Sequence, residues 1–213
     1  MFLERVKRKT REQQIAEKQW NAYTHAVALI IAIPMTYFLL QKSSQPVEYI
    51  SYTLFMGSMI LSFATSTIFH TSMSKWREFF RRLDHSAIYM LIVGTYAPMM
   101  LIAVGGKFGI VMFTLVFILG LCGIFLKMRY YKQIQRISIR LYIALGWLMT
   151  VAIVPIYHHV HWQGMIWIAV SALCFMSGVY FFKETKLLFS HTVWHMFVLF
   201  GAVAMYICIY LYV

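Results

Sequence analysis

Residues 51–70 read SYTLFMGSMILSFATSTIFH, twenty consecutive positions without a lysine, arginine, aspartate or glutamate. An α-helix rises about 1.5 Å per residue, so about 20 apolar residues cross the roughly 30 Å hydrocarbon layer of a bilayer. The run is apolar on every face and lacks the period-two alternation of a barrel strand, so it reads as a membrane helix. Working outward from it gives spans near 22–40, 49–70, 84–104, 108–127, 140–158, 163–182 and 192–213. The expected fold is an all-α integral membrane protein. It is a seven-transmembrane helix bundle over 22–213, preceded by a basic tail over 1–21.

Composition leads to the same class. Of 213 residues, 61% are apolar and 12% charged, against about half and about a quarter in an ordinary soluble domain. With 11 glycines, 4 prolines and 3 cysteines, a collagen-like fibre and a disulfide-stapled scaffold are excluded. Seven helices of about 20 residues use roughly two thirds of the chain, which leaves no room for a soluble catalytic domain. Any chemistry must be done by helix residues. The first span ends TYFLLQKSSQPVE (36–48) without a small-residue cleavage site, so it reads as helix one and not as a signal peptide.

The formal charge of +12 could suggest nucleic acid, but its distribution points to a membrane surface instead. Arg5, Lys7, Arg8, Lys9, Arg11 and Lys18 lie in the tail, and Lys75, Arg77, Arg81 and Arg82 between helices two and three. Lys127, Arg129, Lys132, Arg136 and Arg140 join helices four and five, and Lys183 and Lys186 precede helix seven. Only Lys42 and Lys107 fall on the alternate side. The positive-inside bias places the N-terminus in the cytoplasm and the C-terminus outside. The basic patches are expected on anionic inner-leaflet lipids. Trp20, Trp76 and Trp162 fall at boundaries, as an interfacial belt requires, while Trp147 and Trp167 are expected to pack inside. Pro34, Pro98 and Pro155 lie within spans, where each can bend its helix.

Ionisable groups inside membrane helices are costly and point to function. Ser58, Ser62, Ser66 and His70 recur every four residues on one face of helix two. A packing seam of small residues accounts for the first two. Helix three opens RRLDHSAIY, with Asp84 just inside the membrane, where it serves the site or caps the helix. Helix seven opens SHTVWHMF, with Ser190 as its expected cap and His191 and His195 on one face. The alternating topology brings His70, Asp84, His191 and His195 into one layer near the inner surface. Three imidazoles with one open position form a catalytic zinc set, and unrelated packing or headgroup contacts are the rival reading. Zinc is expected over iron or manganese, which favour more carboxylate ligands. Glu17, Asn21 and His25 share one face of helix one, which packs on this layer or supports it from outside. His85 projects about 100° from Asp84 and so belongs at most to the surroundings of the site. His158, His159 and His161 cluster at the other face, too far away to join it.

These residues carry a family resemblance. Ser66-x3-His70, the run RLDHSAIYMLIVGTYAP (82–98), HTVWH (191–195) and the opening Asn21-Ala-Tyr-Thr24-His25 resemble the hemolysin III branch of the progestin and adipoQ receptor superfamily. The likeness covers the chain from helix one to helix seven. It implies seven helices, a cytoplasmic N-terminus and a zinc ion near the inner face held by His70, His191 and His195. It also implies that Asp84 holds the metal's water or takes its proton, with Ser66 beside it. The superfamily looks related to alkaline ceramidases, which are membrane amidases. Family openings often carry paired acids ahead of the asparagine, whereas here Glu17 is followed by Lys18.

Together these features lead to the expectation of a zinc-dependent hydrolase, bacterial and multi-pass in the plasma membrane. Its expected substrate is a lipid amide or ester near the cytoplasmic leaflet. Asp84 would move the proton, and Ser66 would orient and not attack, since no His–Asp pair stands ready to activate it. The alternatives are a zinc-stabilised receptor or binding protein, and a hemolysin-type permeabilising protein. The sequence is silent on oligomeric state.

Overall fold

The computed structural model describes residues 9–72, 75–183 and 187–213, apart from the side chain of Arg136. The tail cations Arg5, Lys7 and Arg8 and the loop Lys186 lie outside the described residues. The described chain is all helix: α1 (Arg11–Leu40), α2 (Pro46–Thr71), α3 (Arg77–Pro98), α4 (Gly106–Arg129), α5 (Tyr131–Trp147), α6 (Ile153–Lys183) and α7 (Ser190–Tyr212). A π-helical turn, Met99–Val104, extends α3, and a 3-10 turn, Leu148–Ala152, joins α5 to α6.

Among the described residues, six stretches are long and apolar enough to cross a bilayer, one of them Ile137–Lys183 with 47 residues. That stretch has about twice the length one crossing needs, and it is broken at His161, where φ is 54° and ψ is −171°. The protein is therefore a multi-pass membrane bundle of six to seven long apolar helices. Its flanks expose apolar side chains such as Ile30, Val111 and Leu173, as a lipid-facing surface requires.

Several edges differ from the sequence expectation, each for a local reason. Helix α1 begins at Arg11 and not near 22, because Thr10 and Gln13 form a capping box. Part of the expected tail is thus helix. Asp84 is not a cap, since α3 starts at Arg77 and puts it two turns inside. Ser190 is not the cap of α7 either. It is the first helical residue, and Phe189 precedes it with φ at 58°. Pro98 borders the π turn, which ends where Gly105 takes φ of 66°. Trp147 is 57% exposed and so does not pack inside. Lys127 departs furthest from expectation. It is 1% exposed rather than at the headgroups, with its Nζ donating to Ser138 Oγ at 2.7 Å.

Packing aligns the helices around one level. Ser62 Oγ donates to Ala87 O at 3.0 Å, tying α2 to α3. Gly94 lets the Ser58 side chain press on the α3 backbone, and a Cβ there would collide with it. On the other side, Ser171 Oγ donates to Gly201 O at 2.8 Å, and Gly178 lies against Trp194 and Phe197. Gly164 meets Tyr212. The part of α6 after His161 therefore runs antiparallel to α7. The end of α2, the start of α3, the end of α6 and the start of α7 share one level.

Candidate metal centre

At that level the last turn of α2 and the first turns of α7 bring His70, His191 and His195 together. One ring nitrogen from each lies within 4.8 Å of the others. Ring centroids are 5.0 Å apart for His70 and His195, 5.3 Å for His70 and His191, and 4.7 Å for His191 and His195. The last pair follows from an i, i+4 spacing on one helix face. His70 and His195 are buried, and His191 partly so. Buried polar atoms normally find partners, yet His70 Nε2, His195 Nδ1 and the neighbouring Ser66 Oγ have no hydrogen bond. Orphaned nitrogens converging on one point fit a divalent cation with imidazole ligands. Zinc takes such a set at about 2.0–2.1 Å per bond.

The face of α1 predicted near this layer is in contact with it. Glu17 Oε1 accepts the His191 main-chain N–H at 3.3 Å. Asn21 Oδ1 accepts the Thr192 hydroxyl at 2.6 Å. One turn deeper, the His25 ring stacks on His195 with centroids 3.9 Å apart, and neither of its nitrogens has a hydrogen bond. A stacked ring cannot aim its lone pair at the ion its neighbour binds, so His25 supports His195 and stays outside the three-imidazole cluster.

Asp84 also stands outside that 4.8 Å cluster. It lines a cavity of about 280 Å³ together with Ser66, His25, His191 and His195. The imidazole and carboxyl groups of its lining are at this end, and Ile92, Ile143, Ile168 and Val179 are among its apolar walls. It continues to Trp147, Thr150, Ile153 and Met176, all of them exposed on the flank. Since α5 hardly touches α6, the cavity opens sideways between them.

His85 also lines the cavity, and its ring turns toward α5. Its Nε2 faces Tyr131 Oη at 3.4 Å, and its carbonyl accepts the Tyr142 hydroxyl at 2.8 Å. Lys127 lies over the Tyr131 ring at 4.9 Å. Sequence reading missed this cluster of Lys127, Tyr131, Ser138 and Tyr142. The amphipathic period of YKQIQRISIR (131–140), which buries Tyr131, Ile134 and Ser138, was the available signal. His158, His159 and His161 are exposed at the opposite end, remote from the three imidazoles.

Comparison with known proteins agrees over nearly the whole length. A family model described as haemolysin-III related matches residues 13–206. Hemolysin-3 of Bacillus cereus is 34% identical over 205 residues, covering 94% of each chain. The Hemolysin-3 homolog of Bacillus subtilis (strain 168) is 33% identical over 202 residues, covering 93% of this chain and 95% of that protein. The human monocyte to macrophage differentiation factor is 24% identical over 201 residues, covering 90% and 82%. The bacterial relatives support a bacterial origin. On the extent of the family match and these identities, the chain belongs to the haemolysin-III related family.

Proposed function

We propose that the chain is a seven-span plasma-membrane hydrolase, N-terminus inside and C-terminus outside, that uses zinc to cleave a lipid amide or ester near the cytoplasmic leaflet. One observation carries this reading. Three imidazoles converge, those of His70 and His195 buried with unpartnered nitrogens, and they stand with Asp84 and Ser66 at one end of a largely apolar cavity. A structural zinc site is normally closed by four protein ligands, whereas a catalytic one keeps a position open toward a cavity. Only three ligand groups meet here among the described residues, and the cavity reaches them. The break at His161 divides the longest helical stretch into two crossings, which supports the count of seven.

His70, His191 and His195 would hold the ion. Bound zinc supplies Lewis-acid polarisation of a carbonyl and lowers the pKa of a coordinated water toward neutrality. The chain's own groups do the rest. Asp84, on the cavity wall, takes a proton from the attacking water and returns it to the departing amine or alcohol. Ser66, which lines the same end of the cavity as Asp84, would orient that carboxyl. The apolar walls seat an acyl chain and keep bulk water from the reacting carbonyl.

The Bacillus cereus relative carries the name hemolysin. The apolar walls of the cavity suit a lipid chain better than a stream of ions, so lysis would follow from altered lipids. The test is a lipid-product screen of the purified zinc-loaded protein against His195→Ala, with vesicle leakage measured separately. A lipid product made only by the intact metal set supports hydrolysis. Leakage at the same rate in His195→Ala, with no product from either protein, would refute it.

A further inference from the structure

One turn of α1 bridges the ends of the two helices that carry the three imidazoles. Lys18 Nζ donates to Ser72 O at the end of α2, 3.3 Å away. The adjacent Glu17 holds the start of α7 through the His191 N–H at 3.3 Å. Helix α1 thus straps both ligand-bearing helices together above the site. Lys9, just before the helix, folds back and donates to both Glu17 oxygens, at 2.8 and 2.6 Å. Gln14 Nε2 pins that fold by donating to Lys9 O at 3.1 Å. The Lys9 and Glu17 side chains are 20% and 11% exposed.

A metal ion must reach His70, His191 and His195 by some route. The slot between α5 and α6 is walled by apolar side chains, and drawing a divalent cation through it carries a large desolvation cost. The alternative is the turn above the site. The other described acids are placed elsewhere. Glu48 caps α2 at the far end, Glu78 is paired with Arg81 and Arg82, Glu12 is exposed on the first turn of α1, and Asp84 faces the cavity. Glu17 is the carboxylate that touches both the aqueous side and a ligand-bearing turn.

We propose that Glu17 is the loading carboxylate for the metal centre and that Lys9 is its displaceable counter-ion. An incoming divalent cation displaces the Lys9 ammonium, exchanges part of its water for the Glu17 carboxylate and passes to His191. Lys9 then returns and closes the path, which slows loss of the ion. This rests on the metal-site reading above, and its test separates the two.

The experiment uses the full chain in nanodiscs, stripped of metal. Cobalt(II) ions are added, and their visible absorption is followed with time. Bound cobalt is counted after excess is removed, and extraction by EDTA is timed. Lys9→Gln is expected to load and to release about tenfold faster, and Glu17→Gln about tenfold slower, the scale set by one partly buried charge on the path. The glutamine keeps an oxygen for the His191 N–H, so the strap to α7 survives. In the double variant Lys9→Gln is expected to add nothing, and one ion per chain is expected throughout. Wild-type rates in both single variants would overturn the gate, as would faster loading from Lys9→Gln in the Glu17→Gln background. A wild-type chain that takes up no cobalt, or a His195→Ala chain that takes up as much, would instead overturn the metal site, and the gate with it.

Discussion

The bond between Asn21 on α1 and Thr192 on α7 offers a direct measure of how far α1 holds the site together. The hydroxyl donates to the amide oxygen at 2.6 Å, and Asn21 is buried. Thr192 sits next to His191 on the first turn of α7. Asn21→Ala leaves the hydroxyl without this acceptor, and Thr192→Val leaves the amide oxygen without this donor. Each single change is expected to cost about 1–2 kcal/mol, the usual penalty for orphaning a buried polar group. The double variant removes both partners and should cost less than the sum. The coupling energy is expected near 1 kcal/mol, since interhelical hydrogen bonds in membranes average about 0.6 and reach about 1.7 kcal/mol. The assay is equilibrium unfolding in mixed SDS micelles, run as a double-mutant cycle. Zinc affinity by chelator competition is the second readout, with a loss of about tenfold or more expected from Asn21→Ala because His191 loses its alignment. A coupling below about 0.2 kcal/mol together with unchanged zinc affinity would refute the claim that this face of α1 positions the ligands.

Other variants test separate parts of the site. Asp84→Asn should retain most of the zinc, because Asp84 stands outside the ligand cluster, while lowering turnover by about 100-fold or more. Metal content and product formation, measured on one preparation, check this. His25→Phe keeps the ring stacked on His195 and removes two unpartnered buried nitrogens. Thermal stability should rise by about 1 kcal/mol with metal content unchanged, and loss of the ion would show that a His25 nitrogen serves it. Lys127→Met fills the same buried space without an ammonium, and Ser138 keeps its own bond to Ile134 O at 2.8 Å. Stability should be unchanged or raised by about 1 kcal/mol; a loss of several kcal/mol in the same unfolding assay would show that the charge supports the fold.

The membrane class was legible from single runs such as 51–70, because a bilayer demands length and apolarity from each helix independently. The meeting of His70 with His191 and His195 was legible from topology and helical period together. Alternating directions fix the level of each residue, and a spacing of four fixes the face. What the sequence left obscure depended on partners distant in the chain. The spacing of Glu17, Asn21 and His25 placed their face on this layer, but it carried no sign that the Glu17 carboxylate would take an N–H of α7, or that the helix would begin as early as Arg11. Lys127 reads as one more cation in a basic link. Its burial arises only because α5 folds Tyr131 and Ser138 over it. The break at His161, by contrast, falls in the gap expected between the spans 140–158 and 163–182, although no glycine marks its positive φ.

The gap between α5 and α6 changes what concentration means for this protein. A molecule that passes Trp147 and Met176 to reach Asp84 arrives from among acyl chains. Its supply is then counted as a mole fraction in two dimensions and not as molarity in buffer. Doubling the aqueous volume around a fixed quantity of vesicles would leave occupancy untouched. Diluting the same molecule with inert phospholipid would lower it in proportion.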